Sequence, residues 1–216
     1  MTDPTLDEMR ELLSAELPHH AAFDGWTPVA LDLAAQATGI DPAIASLAFS
    51  GGAIEMIDGW FAHIDRAMLA AVPPQQMATM KIRQKIAALI EARIDLIAPD
   101  IEALRRALAI LTLPQNLPHT VKLSWRAADA IWRAAGDTAT DFNHYSKRTL
   151  LAGIYTATIM AMLDDQSEGL AETRAFLGRR IDGVMRFEKF KGKFTHSAPE
   201  RLSLARFLGR LRYPAV

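Results

Sequence analysis

The 216-residue chain predicts an all-α fold, and three observations carry that prediction. Its apolar half rests on 37 Ala and 25 Leu against five Val, which favours helices over the β-branched composition of strands. Apolar residues recur with helical spacing, and Pro, Gly and capping residues punctuate them at helix-length intervals. There is no Cys, which removes disulfides, thiolate metal sites and thiol nucleophiles together.

The elements follow in order. Leu6 to Leu17 opens the chain and is expected to end at Pro18, whose ring cannot continue the hydrogen-bond ladder. Thr27 caps a second helix with Pro28 in its first turn, and Gly39 stops it. Asp41-Pro42 starts a third that reaches about Phe49, and Ser50-Gly51-Gly52 breaks it before a long segment from Ala53 to Ala71. Two short helices joined by a Gly-containing turn behind a first helix form a helix-turn-helix unit. Gln75 to Ile97, Asp100 to Leu113, Thr120 to Ala135, Asp141 to Leu163 and Gly169 to about Lys189 are expected to complete the bundle. Lys191 to His196 reads as a tether. The expected organisation is a helix-turn-helix-like part over 1–72, a ligand-binding and dimerisation body over 73–190, and a tether with a basic helix over 191–216.

Charge separates these parts. Residues 1–173 hold 13 Lys and Arg against 22 Asp and Glu, whereas 174–212 hold 11 against three. Between Arg10 and Arg66 there is no basic residue but there are eight acidic ones. A module facing DNA draws most of its affinity from cations on phosphates, so nucleic acid is not an expected partner, and the alternative of a ligand-responsive transcriptional regulator is disfavoured. The acidic N-terminus lacks the character of a targeting segment, and the longest uncharged helical run, Thr149 to Leu163, has 15 residues where a membrane span needs about 20. A cytoplasmic protein is expected.

No nucleophile elbow, phosphate loop or dinucleotide fingerprint occurs, and of the Glu-x-x-His pairs a di-iron bundle needs, only Glu16–His19 matches, split by Pro18. Asp141 and His144 share i, i+3 spacing, which reads as a helix cap beside a surface His. The expectation is a binding protein, not an enzyme, with neither metal nor cofactor.

Trp125 and Trp132 are seven apart and share a helix face, and the next helix is apolar all round through Leu151, Tyr155, Ile159 and Met162, with Leu150, Ile154 and Met160 on its other sides. Such a helix must bury two faces. One packs on the body, and the other is core, a dimer seam or the lining of a lipid cavity. At the C-terminus, Leu204, Phe207, Leu208 and Leu211 repeat at i, i+3, i+4, i+7, with Arg206 and Arg210 among the residues between them. This basic amphipathic helix either docks on protein or enters the headgroup region of an anionic membrane, and its tether and charge favour the membrane.

Four stretches carry a family resemblance: Gly136-Asp-Thr-Ala-Thr-Asp-Phe-Asn-His-Tyr-Ser-Lys-Arg148, Leu151-Ala-Gly-Ile-Tyr155, Thr173-Arg-Ala-Phe-Leu-Gly-Arg-Arg-Ile181 and Val184-Met-Arg-Phe-Glu-Lys189. They resemble the accessory lipid-binding proteins of ubiquinone biosynthesis, the Coq-nine family, over about residues 10 to 190. The resemblance implies a TetR-repressor-like homodimer that does not bind DNA and holds isoprenoid or phospholipid chains in an apolar cavity. It further implies a peripheral protein of the inner membrane, anchored by a C-terminal amphipathic helix, that presents quinone precursors to the di-iron hydroxylase acting on demethoxyubiquinone. The family's patch for that enzyme maps to Asp141, His144, Tyr145 and Arg148, with His144 standing where many relatives carry an aromatic.

Overall fold

A computed structural model describes residues 4–137 and 142–196, and every described element is helical. Helix α1 (Leu6–Asp24) starts from a reciprocal cap. The Glu8 amide donates to the Thr5 hydroxyl, and the Thr5 amide donates to the Glu8 carboxylate at 2.7 Å. The expected stop at Pro18 does not occur, and α1 runs on to Gly25, whose φ of +72° suits glycine. Burial explains this. A helix-interior proline costs about 3 kcal/mol, but full burial of Leu13 and Leu17 before it contributes ~1.5–3 kcal/mol each, and Ala21 is buried in the turn after it.

Helix α2 (Pro28–Thr38) begins at Thr27 and ends at the left-handed Gly39, and α3 (Pro42–Ala48) begins where the Ala43 amide donates to the Asp41 carboxylate at 2.7 Å. Both follow the local signals. Helix α4 (Ala53–Ala71) buries Met56, Ile57, Trp60, Ile64 and Met68 along one stripe. The single helix expected over 75–97 is two. A short α5 (Pro74–Met77), pinned by buried Met77, is separated from α6 (Ile82–Ile97) by a break at Lys81. Lys81 is extended, and its amide donates to the Gln84 side chain at 2.9 Å, so α6 starts afresh.

One 3-10 turn leads into α7 (Ile101–Leu111) and another into α8 (Leu117–Ala134). Helix α8 starts three residues before expectation because Pro118 sits in its first turn, where a missing amide hydrogen has no consequence. Helix α9 (Phe142–Met162) returns along α8 as an antiparallel hairpin, and α10 (Ala171–His196) follows. It continues through 191–196, so the expected tether is helical to His196.

Helix α1 packs against α2, α3, α4 and α7, and α4 packs against α6 and α8. The chain therefore has no break at residue 72, and Met1–Gly178 forms one compact unit. A second unit starts at Arg179, and its described part is helical to His196. In the first unit, Trp26 and Phe61 flank Trp60 with ring centroids 5.4 and 5.1 Å away. The Trp26 indole donates to the Ala103 carbonyl at 3.0 Å, fastening the start of α2 to α7. Helices α1 and α4 meet closely at Gly59, where an added Cβ would lie 2.6 Å from Ser14 Oγ and 2.9 Å from the Phe49 ring.

That approach generates a test. Gly59→Ala should lower unfolding free energy by about 1–3 kcal/mol in a denaturant titration, the range for overfilling a packed interface. A change of under about 0.5 kcal/mol, the ordinary surface range, would show that α1 and α4 part without strain.

Candidate functional site

The α8–α9 hairpin presents two faces, and they do different things. Towards the body, Leu123, Ala127 and Ile131 of α8 and Leu151, Tyr155 and Ile159 of α9 are buried. Between these faces, α4, α6 and α7 leave a narrow cleft of ≈ 50 Å³, lined by Phe61, Leu108, Leu111, Leu123, Tyr155 and Ile159 among others. Enclosing pockets for drug-sized ligands measure ~300–1,000 Å³, so this cleft admits one small group, and a chain enters only if α8 or α9 yields. A wider polar groove of ≈ 510 Å³ lies across Arg10, Glu55, Asp58, His119 and Lys122, and its charged walls do not suit an apolar chain.

The residues expected to hold lipid divide. Tyr155 and Ile159 line the cleft, while Leu151 and Met162 are buried. Trp125 and Trp132 do not line it. Trp125 is half-buried against Tyr145 and His144, with ring centroids 6.0 and 6.5 Å away. Trp132 donates its indole hydrogen to the Lys147 carbonyl at 3.1 Å, and the Lys147 ammonium stands 5.3 Å from its ring centre. Both tryptophans therefore support the start of α9.

Of the expected partner contacts, Tyr145 is 61% exposed and His144 is half-buried beside it in an edge-on contact at 5.1 Å. Arg148 belongs elsewhere. Its side chain is buried, and its guanidinium joins Asp129 at 2.6 Å, Asp137 at 3.1 Å and the His144 carbonyl at 3.2 Å. It bolts α9 to α8 from inside and is not a surface for a partner. Asp141 lies outside the described residues, as do the six membrane residues Leu204, Arg206, Phe207, Leu208, Arg210 and Leu211.

The cleft contains one group that sequence reasoning missed. Arg93 of α6 is fully buried and lines the cleft, with its guanidinium carbon 4.8 Å from the Tyr155 ring centre. Its Nη1 pairs with Asp65 of α4. Arg126 of α8 then binds the other Asp65 oxygen at 2.9 Å and Asp58 at 2.6 Å, so two arginines and two aspartates alternate across three helices. Burial works against the Arg93 charge, but the adjoining Tyr155 and Asp65 oxygens outweigh it and hold its pKa above the ordinary value. Burial likewise pushes the Tyr155 phenol up, against the opposing pull of Arg93. A signal for Arg93 was present: it occupies the same stripe as Ile86, Leu89, Ile90 and Ile97, a core position in an otherwise apolar face. Phe61, Leu108 and Leu111 carried none, because only tertiary packing brings them to α9. Among the described residues, no three His, Asp or Glu converge as metal ligands, and no helix is long and apolar enough to cross a membrane.

A family model described as COQ9 matches residues 117–188, the span of α8, α9 and most of α10. The ubiquinone biosynthesis protein COQ9, mitochondrial, of Rattus norvegicus is 35% identical over 199 residues, covering 85% of this chain and 64% of that protein. Its Homo sapiens counterpart is 33% identical over 168 residues, covering 74% and 52%. The chain thus spans between half and two thirds of the length of these relatives. Among solved structures, the TetR transcriptional regulator from Nitrosomonas europaea ATCC 19718 superposes with a TM-score of 0.65 at 23% identity, over 81% of this chain and 96% of that one. The fold is therefore TetR-like.

The hairpin yields two predictions. Arg148→Met leaves Asp129 with Arg133 alone and Asp137 with Lys147 alone and should destabilise the protein by about 1–3 kcal/mol, whereas Tyr145→Ala should stay within about 0.5 kcal/mol; equal effects in denaturant titrations would refute the division. The second concerns acid. Burial works to raise the Asp129 carboxyl, but Arg148 and Arg133 prevail and hold it below the ordinary 3.8; Lys147, aided by Arg148, holds Asp137 below the same value. Because these folded-state values are depressed, the stabilisation is present above pH 3.8 and is lost as pH falls further through them. Asp137→Asn should flatten this acid limb in a pH titration of stability, and an unaltered limb would exclude Asp137 as its source.

Proposed function

We propose that the chain, on its similarity to the COQ9 proteins, serves ubiquinone biosynthesis as a non-catalytic lipid-binding protein. In this reading it binds isoprenoid quinone precursors or phospholipids and presents substrate to the demethoxyubiquinone hydroxylase at the membrane. The observation that carries it is the largely apolar cleft between α8, α9 and the body, whose α8 and α9 walls lie within the segment that matches the family model. The hairpin's outer face, with exposed Tyr145 beside His144 and Trp125, is the proposed hydroxylase contact. A second copy is proposed to pack on exposed apolar residues of the hairpin, and the basic helix beyond residue 197 is proposed to hold the protein peripherally on the inner membrane.

The TetR-like scaffold raises a DNA-binding reading, and its own third helix argues against that. Helix α3 carries Pro42, Ala43, Ile44, Ala45, Ser46, Leu47 and Ala48, with Leu47 66% exposed. It has no Arg, Lys, Asn or Gln to read a base edge, and its surroundings are acidic.

Organic extraction of protein purified without detergent should yield isoprenoid or phospholipid in near-stoichiometric amount. Lipid-free protein that also fails to take up lipid from vesicles would overturn the proposal. For the membrane helix, Leu204→Glu with Phe207→Glu in the full chain should abolish flotation with anionic liposomes, and unchanged flotation would remove that helix from the account.

A further inference from the structure

The cleft carries an incomplete polar arrangement. Arg93 Nε, Arg93 Nη2 and the Tyr155 hydroxyl are all buried, and none has a hydrogen-bond partner among the described residues. Buried donors of this kind are nearly always satisfied, and leaving a charged one unmade is expensive. Both side chains line the same cleft, one from α6 and one from α9. The arrangement is not needed to neutralise Arg93, because Asp65 already does that.

We propose that Arg93 and Tyr155 form a subsite for a neutral oxygen acceptor, the ring carbonyl or phenol oxygen of a quinone-like head group. Three features select this chemistry. Guanidinium nitrogens donate and never accept, and a phenol can donate alongside them, so the complementary atom is an oxygen with lone pairs. Arg93, Asp65, Arg126 and Asp58 already balance to zero charge, so an anion at the fully buried Arg93 would give the cluster a net negative charge. The space is ≈ 50 Å³ between Phe61, Leu111 and Ile159, which suits one oxygen-bearing ring edge between apolar walls and not a phosphate ester with its substituents. The subsite rests on the lipid-binding reading and deepens it: Arg93 with Tyr155 distinguishes a ring that bears oxygen from one that does not, and the chain is accommodated only as α8 or α9 yields.

The test compares two probes by isothermal titration, a ubiquinone with a two-isoprene tail and geranylbenzene, which has the same tail on a ring without oxygen. Tyr155→Phe removes one oxygen beside Arg93 and keeps the ring that packs on it, and Arg93→Lys keeps the charge facing Asp65 while removing the guanidinium fork. The wild type should prefer the quinone. Tyr155→Phe should lower quinone affinity about three- to tenfold, and Arg93→Lys about tenfold or more, with geranylbenzene affinity unchanged in both. Circular dichroism checks folding, and Tyr155→Phe alone decides should Arg93→Lys unfold. A quinone-to-geranylbenzene preference unchanged in Tyr155→Phe overturns the subsite and leaves lipid binding standing. Displacement of the quinone by millimolar inorganic phosphate overturns the choice of a neutral acceptor. Failure of the wild type to bind either probe overturns both the subsite and the lipid reading.

Discussion

A charge buried without water must be answered by another, and in this bundle that requirement determines how three helices meet. Arg93 is enclosed on α6, so α4 must bring Asp65 to it, and α8 must bring Arg126 to the second Asp65 oxygen. The apolar stripes of these helices are individually tolerant, because Leu, Ile and Ala can slide past one another with modest loss. A buried arginine and a carboxylate cannot slide, since removing either leaves the other uncompensated. The alternation of arginine and aspartate therefore sets the register of α4, α6 and α8, and the Trp26–Trp60–Phe61 cluster and the cleft fill the space so defined.

The hairpin repeats the solution nearer the surface. Arg148 on α9 meets Asp129 on α8 and Asp137 just beyond it, and Lys147 closes over Trp132 while binding the same Asp137. This arrangement frees Tyr145 to face outward without loss of order, because the turn of helix beneath it is held from within. The described residues of 136–148 are thus of two kinds. Asp137, Lys147 and Arg148 build the support, and His144 and Tyr145 are displayed upon it.

How far sequence reached depends on the range of the forces involved. Thr27, Pro28, Gly39, Asp41 and Pro42 act on their own backbone or that of the next turn, and the helices they bound lie where those residues put them. Pro18 acts locally too, yet Leu13, Leu17 and Ala21 are buried where α1 packs on its neighbours and carry α1 through it. The break at Lys81 likewise depends on where Met77 is anchored. In the cleft, Tyr155 and Ile159 were legible from the apolar character of α9, while Phe61 and Leu108 belong to it only through tertiary contact. Trp125 and Trp132 do share a helix face, but which neighbour that face meets is a property of the hairpin. Arg148 belonged to a recognisable motif, and nothing in a motif distinguishes a residue kept for contact from one kept for support.

The four tryptophans have a spectroscopic consequence. Trp26 and Trp60 are 3% and 2% exposed in the N-terminal core, whereas Trp125 and Trp132 are half-buried on the hairpin. Indoles shielded from water emit to the blue of those that touch it, so the emission envelope of this protein is a sum of two spatially separate populations. Its short-wavelength edge reports the helix-turn-helix half and its long-wavelength edge the hairpin, and a soluble quencher extinguishes the second before the first. The molecule thus carries two optical reporters of native origin, one for each end of the bundle.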